Sequence, residues 1–250
     1  MAGSDQSYGK HCPAKRAERK WIHILFHVAP DGMLFNMFPV HSGGCSINAD
    51  TTLFNVLELV PELNVARLDL VELFGRHAPL QVDLGCGDGS FLCELAGQFP
   101  EKNFLGIERL TKRVEKVRRK MLKIENVRVL GTDALFAVRY LLPENSVETF
   151  YLFFPDPWPK RRHRQRRIFT CEFLDSIAAA LDQNGALRIA TDQLDYFHQM
   201  EQLSRGHSQF EIVPSSWNDC VLPRTKFESR FRQQGVPIYR LTLRKVSPVK

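Results

Sequence analysis

The chain has 250 residues, 44% of them hydrophobic and 25% charged, a globular composition that excludes disorder, collagen and coiled coil for the chain as a whole. No apolar run approaches the ~20 residues of a membrane span, and six cysteines without a CxxC pair speak against a zinc site or a disulfide framework, so a cytoplasmic enzyme with neither membrane nor metal is expected. Lys and Arg outnumber the acids 34 to 28, and the six basic residues Lys160, Arg161, Arg162, Arg164, Arg166 and Arg167 match that excess, so one patch defines the charge balance.

Residues 1–50 show no sustained periodicity beyond a short strand expected within Trp21–Val28. They read as an N-terminal extension ahead of a domain over 51–250 and are expected to be dispensable for folding. His23 and His27, four apart, lack a third ligand, so no metal is assigned to them. Thr52–Phe74 predicts one or two helices broken at Pro61, with Asn64 as a cap for the second.

From Leu80 the pattern becomes regular. Leu80–Leu84 reads as a buried strand ending in a glycine loop, and Ser90–Phe99 as the helix that follows. Asn103–Ile107 is a second strand. Leu110, Val114, Val117, Met121 and Ile124 then mark an amphipathic helix. Its opposite side carries Arg109, Lys112, Arg113, Lys116, Arg118, Arg119, Lys120 and Lys123, read as a solvated face. Val127–Leu130 and Val147–Phe154 are further strands, Ile168–Leu181 a helix, Ala186–Thr191 a fifth strand and Leu194–Leu203 a helix. Phe210–Val213 and Ile238–Leu243 read as two last strands. This alternation predicts an α/β fold, a mostly parallel sheet with helices on both faces.

Open parallel sheets bind ligands beyond the carboxyl ends of their strands, and each of the first five strand ends carries a polar residue. In Asp83-x-Gly85-x-Gly87-x-Gly89 the glycines admit a ligand close to the backbone. A nicotinamide fingerprint needs glycine where Ser90 stands, and no GxxxxGK[ST] phosphate loop is present. The acid before the first glycine repels pyrophosphate and suits a ligand carrying an ammonium or sulfonium. Glu108, at the next strand end, suits the two hydroxyls of a ribose, or else caps the following helix. Asp133 accepts from an adenine amino group, or else caps the helix starting at Ala134. Adenine, ribose and a positive charge together describe S-adenosylmethionine.

After the fourth strand comes FFPDPWPKRRHRQRR, Phe153 to Arg167. Its prolines fix the chain direction. Trp158 lies beside the carboxylate of Asp156, and the basic run follows at once, so a pocket and a polyanion-binding surface adjoin.

These residues resemble the bacterial tRNA (guanine-N7)-methyltransferases. The resemblance runs from about Leu80 to Arg244 and rests on DLGCGDG, the GIE ending at Glu108, the TDA containing Asp133, FPDPWPKRRHRQRR, the ATD ending at Asp192, TKFESRF and GVPIYR. It implies a Rossmann-like, seven-stranded S-adenosylmethionine-dependent fold, with methyl transfer to N7 of the variable-loop guanine (guanine-46) in tRNA. It further implies cofactor contacts at Asp83, Gly85, Glu108, Arg109, Asp133 and Asp156. RNA contacts are implied at Lys160, Arg162, His163, Arg164, Gln165, Arg166 and Arg167, and substrate contacts at Asp192, Thr225, Lys226, Phe227 and Glu228. Asp83 stands where the family often has Glu, and residues 1–50 match no family feature. A monomer or weak homodimer without an obligate partner subunit is expected.

N7 of guanine keeps a lone pair at neutral pH, so its methylation removes no proton and needs no strong general base. Asp156 is expected to place the ring and support the positive charge that it gains. An adenine amino-methyltransferase would carry Asp/Asn-Pro-Pro-aromatic where this chain has Asp156-Pro157-Trp158-Pro159. A non-catalytic RNA binder on the same fold would show a damaged cofactor loop, whereas Asp83, the glycines and Glu108 are intact.

Overall fold

The structure, a computed structural model, describes residues 26–28, 33–36, 66–214 and 222–246. Of the one or two helices expected over Thr52–Phe74, the part before residue 66 lies outside the described residues, as do the cap at Asn64 and His23. Strands β1 (Phe26–Val28), β2 (Met33–Asn36), β3 (Leu80–Leu84), β4 (Asn103–Ile107), β5 (Val127–Leu130), β6 (Val147–Phe153), β7 (Leu181–Thr191), β8 (Phe210–Val213) and β9 (Tyr239–Lys245) form one sheet. Its order is β1-β2-β5-β4-β3-β6-β7-β9-β8.

Strands β5, β4, β3, β6 and β7 run parallel, and β9 and then β8 close that side antiparallel. Both β3 and β4 are buried at every position, as strands covered on two faces must be. The seven expected strands are β3 to β9. Chain order reverses between β3 and β6, which opens a crevice at their carboxyl ends.

Helices α1 (Leu70–Phe74), α2 (Ser90–Gln98), α3 (Thr111–Met121), α4 (Ala134–Phe136, running into a π-turn over Ala137–Leu141), α5 (Cys171–Ala180), α6 (Leu194–Arg205) and α7 (Lys226–Gln233) complete the described elements. Asp69 caps α1, its carboxylate accepting from the amides of Val71 and Glu72. Phe91, Leu92 and Leu95 of α2 and Val114, Val117 and Met121 of α3 pack against Phe104, Val127 and Tyr151 on one sheet face. Leu73, Phe136, Phe173, Ile177, Tyr196 and Met200 belong to the core on the other face.

Two boundaries differ from expectation for local reasons. The helix expected from Ile168 starts at Cys171, because the Thr170 hydroxyl accepts from the Phe173 amide at 3.1 Å and caps it there. It stops at Ala180 because Leu181 already pairs with Val147, so β7 has 11 residues rather than beginning at Ala186.

Close packing beneath the glycine loop depends on two glycines. A Cβ on Gly106 would lie 2.7 Å from Cys86 Sγ and 2.8 Å from Leu92, and one on Gly89 would lie 2.8 Å from Val117. Helices α2 and α3 approach the strands as closely as they do because those carbons are missing.

The β1–β2 hairpin joins the sheet by pairing β2 alongside β5, with register partners Met33–Val129 and Leu34–Leu130. Hydrogen bonds at so few positions contribute about 0.5–1.5 kcal/mol each, against a domain stability of about 5–15 kcal/mol. We therefore propose that 51–250 is the folding unit. A chain starting at Asp50 is expected to stay soluble and to keep a cooperative thermal transition. Insoluble or non-cooperative protein would place the boundary inside the extension.

Candidate active site

The parallel register pairs Asp83 with Gly106 and Leu84 with Ile107, so the β3 and β4 ends emerge side by side. The amides of Gly85 and Cys86 both donate to the Ile107 carbonyl, at 2.8 and 3.0 Å, tying the loop to the end of β4. Gly85, Gly87 and Gly89 all have positive φ, and a Cβ on Gly85 would meet nothing within 4 Å. The loop therefore borders open space. Glu108, buried, accepts from the amides of Gly87 at 3.1 Å and Leu110 at 2.9 Å, with Arg113 at 3.6 Å. Asp83 is also buried. Loss of water, reinforced by the charge of Glu108, pushes its carboxyl up to about 7. Burial and then Asp83 likewise push the Cys86 thiol up, so that sulfur stays a packed, protonated group. Two acids held out of water beside an open glycine loop fit a cationic ligand.

Across the sheet edge the strand order lays out Asp133, Glu108, the glycine loop, Asp156 and Asp192. Asp133 caps α4, accepting from the Phe136 amide at 3.1 Å, and is otherwise exposed. Of its two sequence readings the cap is realised, and the exposed carboxylate keeps further acceptor sites. Arg109 is exposed and Asp192 half-buried, the latter accepting from the Gln193 side chain.

Asp156 is exposed beyond β6, between two residues of unusual backbone, Phe154 at φ 53° and Trp158 at φ 41°. Non-glycine residues there cost on the order of 1–3 kcal/mol each, so the surroundings must enforce them. Phe154 packs against Phe231 at 5.4 Å and Phe227 at 6.2 Å on α7. Trp158 meets the His163 ring edge-on at 5.9 Å and carries the Arg166 guanidinium 5.0 Å above its face.

The basic run folds as a 3-10 turn over Arg161–Arg166. Lys160, Arg162, Arg164, Gln165 and Arg166 are exposed and His163 half-buried, with Arg164 3.2 Å from Asp195. Arg167 departs from this set. Its side chain is 1% exposed, donating to the Pro157 carbonyl, Gln199 and Asp195 at 2.7, 2.6 and 2.7 Å, and stacked 4.4 Å over Tyr196. A phosphate contact at Arg167 does not survive that geometry; the residue bolts the Pro157 end of the loop to α6. Glu228 is corrected similarly. It is 6% exposed and paired with Arg232 and Arg240, so that it joins α7 to β9. The Thr225 hydroxyl caps α7 through the Glu228 amide, whereas Lys226 and Phe227 are exposed.

Sequence reasoning missed Asp195, Gln199 and Tyr196. They lie on the outer or packing positions of an ordinary amphipathic helix, and only the return of α6 beneath the 3-10 turn gives them a role. The hydrogen bond from Arg167 holds the Asp195 carboxyl below its usual range, and burial pushes the Tyr196 phenol up to about 12. Asp88 was also missed. Its carboxylate binds Lys120 of α3 at 2.9 Å and Lys226 of α7. Burial alone would raise it, but hydrogen bonds from Lys226, Lys120 and Ser90 carry it well below the carboxylate range. Among the described residues no group of three or more His, Cys, Asp or Glu side chains is placed to hold a metal, and no helix is long and apolar enough to cross a membrane.

A sheet whose order reverses at β3 and β6, with a glycine loop over a buried acid pair at that point, defines a Rossmann-like methyltransferase. The solved structures agree on the fold. The 16S rRNA methyltransferase KamB superposes with TM-score 0.53 at 15% identity, over 73% of this chain and 95% of that one. The antibiotic-resistance methyltransferase Kmr superposes with TM-score 0.52 at 18% identity, over 74% and 94%. A family model described as "Putative methyltransferase" matches residues 77–241.

The particular family follows from closer relatives. A tRNA (guanine-N(7)-)-methyltransferase of Halorhodospira halophila is 41% identical over 74% of this chain and 82% of its own. One from Thermotoga maritima is 37% identical over 72% of this chain, which spans 58% of that relative's length. The chain belongs to the tRNA (guanine-N7-)-methyltransferase family.

The two arginines at the end of the basic run separate structure from surface. Arg167→Gln is expected to cost about 2–3 kcal/mol, because the Pro157 carbonyl and Gln199 lose buried partners, whereas Arg166→Ala, which removes an exposed cation from the face of Trp158, should stay within about 1 kcal/mol. Urea unfolding of both variants measures this. Equal midpoints would show that Arg167 anchors nothing.

Proposed function

We propose that this enzyme transfers a methyl group from S-adenosylmethionine to N7 of the variable-loop guanine, guanine-46, in tRNA. The observation that carries the reading is the buried acid pair of Asp83 and Glu108, at the ends of β3 and β4, beside the strand β6 that leads into the exposed cations of the 3-10 turn. The names of the relatives, tRNA (guanine-N(7)-)-methyltransferases, support guanine N7 of tRNA as the acceptor, and the position in the variable loop is the one that the family resemblance implies.

When bound, S-adenosylmethionine supplies the methyl on a sulfonium, whose positive charge and amino group suit the acids. Asp83 offers its carboxylate to the cationic end, and Glu108 its remaining lone pairs to ribose hydroxyls. Gly85 leaves room for close approach, with Asp133 and Arg109 beside the adenosine side of the edge. N7 brings its own lone pair, so no residue has to remove a proton. Asp156, on the other side of the glycine loop, orients the guanine and stabilises the positive charge the ring acquires. Asp192, Lys226 and Phe227 border the same opening, while Lys160, Arg162, His163, Arg164, Gln165 and Arg166 receive RNA backbone. Trp158, clamped by His163 and Arg166, keeps that surface rigid relative to Asp156.

Labelled S-adenosylmethionine with unmodified tRNA, followed by digestion to nucleosides and mapping, tests the reading. Label in 7-methylguanosine from the variable loop is expected. Label in another nucleoside, or none, overturns it.

Binding and chemistry separate by mutation. Glu108→Ala is expected to weaken cofactor binding about ten- to a hundredfold, from lost bonds to a charged group, and high cofactor should largely rescue it. Asp156→Asn is expected to lower kcat about a hundredfold without rescue, equivalent to ~2.7 kcal/mol of transition-state stabilisation. Recovery of the Asp156 variant at saturating cofactor would leave that residue a binding group only.

The Asp83 carboxyl adds a pH signature. Folding raises it from 3.8 to about 7, so the folded state binds the extra proton and its stability falls as pH rises between those values. A cationic ligand needs the ionised form. Cofactor affinity is therefore expected to fall about tenfold per pH unit below about 7 and to level off above it. Isothermal titration across that range, with Asp83→Asn as the control that loses the dependence, measures it. The same slope in both proteins would assign it to another group.

A further inference from the structure

The charge pattern of α3 is not one that its own folding requires. Between Arg109 and Lys123 there are eight cations and one acid, Glu115. Lys112 and Arg113 stand in the first helical turn with no acid there, against the helix dipole. Lys112–Lys116 and Lys116–Lys120 are like-charge pairs at i,i+4, each costing about 0.2–0.5 kcal/mol. A helix that needed only solvation would alternate signs. The apolar side, Val114, Val117 and Met121, is buried in the core, so that side is not available to lie on a membrane.

Tertiary packing gives this face an address. Val117 sits against Gly89, so α3 is pressed directly on the glycine loop, and Arg113 reaches Glu108 at 3.6 Å. At its far end Lys120 shares the Asp88 carboxylate with Lys226 of α7. Two ammonium groups on one carboxylate leave a net positive junction, and the Lys226 side chain remains 71% exposed. The cations of α3 thereby run into exposed Lys226 and Arg230 of α7. The α3 part of this band follows β4, on one side of the crevice, whereas the 3-10 turn follows β6 on the other, where α7 packs against Phe154.

We propose that the exposed basic face of α3, continued through Lys226 onto α7, is a second RNA-backbone surface, so that tRNA is held by positive charge on both sides of the pocket. The inference rests on the tRNA reading above and deepens it. Phosphate is the partner chemistry that fits, because it compensates the excess of cations over acids on this face and is carried by the tRNA of the reading above.

The test is tRNA binding by the full chain against salt concentration, comparing wild type with Lys112→Gln/Lys116→Gln/Arg119→Gln. These three side chains are exposed and lie outside the proposed catalytic and cofactor-binding set. The variant is expected to flatten the log–log salt slope by about two to three units, at roughly 0.7–0.9 per phosphate lost. Its S-adenosylmethionine affinity and thermal midpoint should match wild type or, for the midpoint, exceed it as like charges are removed. An unchanged slope, in a wild type that methylates tRNA, overturns the α3 surface and leaves the function standing. A wild type without salt-dependent tRNA binding overturns both. Should the triple variant lose its cooperative melt, the single variants Lys112→Gln and Lys116→Gln decide, each expected to flatten the slope by about one unit or to refute the contact by leaving it unchanged.

Discussion

Asp83 and Glu108 are kept next to one another, out of water, at the ends of two adjacent parallel strands, and much of the site follows from that placement. Like charges at short range in a poorly solvated place are unfavourable, and the protein meets the cost locally. The amides of Gly87 and Leu110 bind Glu108, Arg113 lies close by, and Asp83 is held with its carboxyl raised to about 7. What would relieve Asp83 is a cation entering from the open side of the glycine loop. The same requirement determines the packing underneath. The loop can close over the acids only because Gly106 admits Cys86 and Leu92, and Gly89 admits Val117.

The second constraint is that the charge of the basic run be rigid with respect to the rest of the fold. A basic loop in solution would be mobile, and its cations would bind phosphate at a large entropic cost. Here Arg167 is spent internally so that its neighbours are held in place. Its guanidinium ties the Pro157 carbonyl to Asp195 and Gln199 of α6 and lies over the Tyr196 ring. Because Asp195 is itself 45% exposed, the anchoring rests more on buried hydrogen bonds and stacking than on the ion pair. Phe154, with its positive φ, joins the other side of the same segment to Phe227 and Phe231, so Asp156 stands between two braced points.

Asp88 links these systems. It belongs to the glycine loop, yet its partners come from α3 and α7. Its exposure limits what those ion pairs contribute to stability. Their consequence is geometric: the glycine loop, α3 and α7 meet at one carboxylate.

The alternation of β and α, the glycine loop and the acids at the ends of β3 and β4 were legible in the chain, because strand burial and tight turns are written in local residue types. The basic run was legible as charge. Composition could not divide it, since Arg164, Arg166 and Arg167 are chemically the same in the sequence, and only the packing of α6 takes Arg167 inside. Glu228 read as a substrate contact because nothing nearby in sequence shows that Arg240, twelve positions later on β9, comes back to meet it. The early start of β7 at Leu181 likewise depends on a partner, Val147, supplied by the sheet. The amino-acid sequence alone determined the fold class, the cofactor loop and the amount and sign of charge beside it, all of which follow from short-range pattern. Tertiary structure decided which charges are buried anchors and which face solvent, and that α3 and α7 share one positive band, because burial and pairing are set by segments distant in the chain that no local pattern brings together.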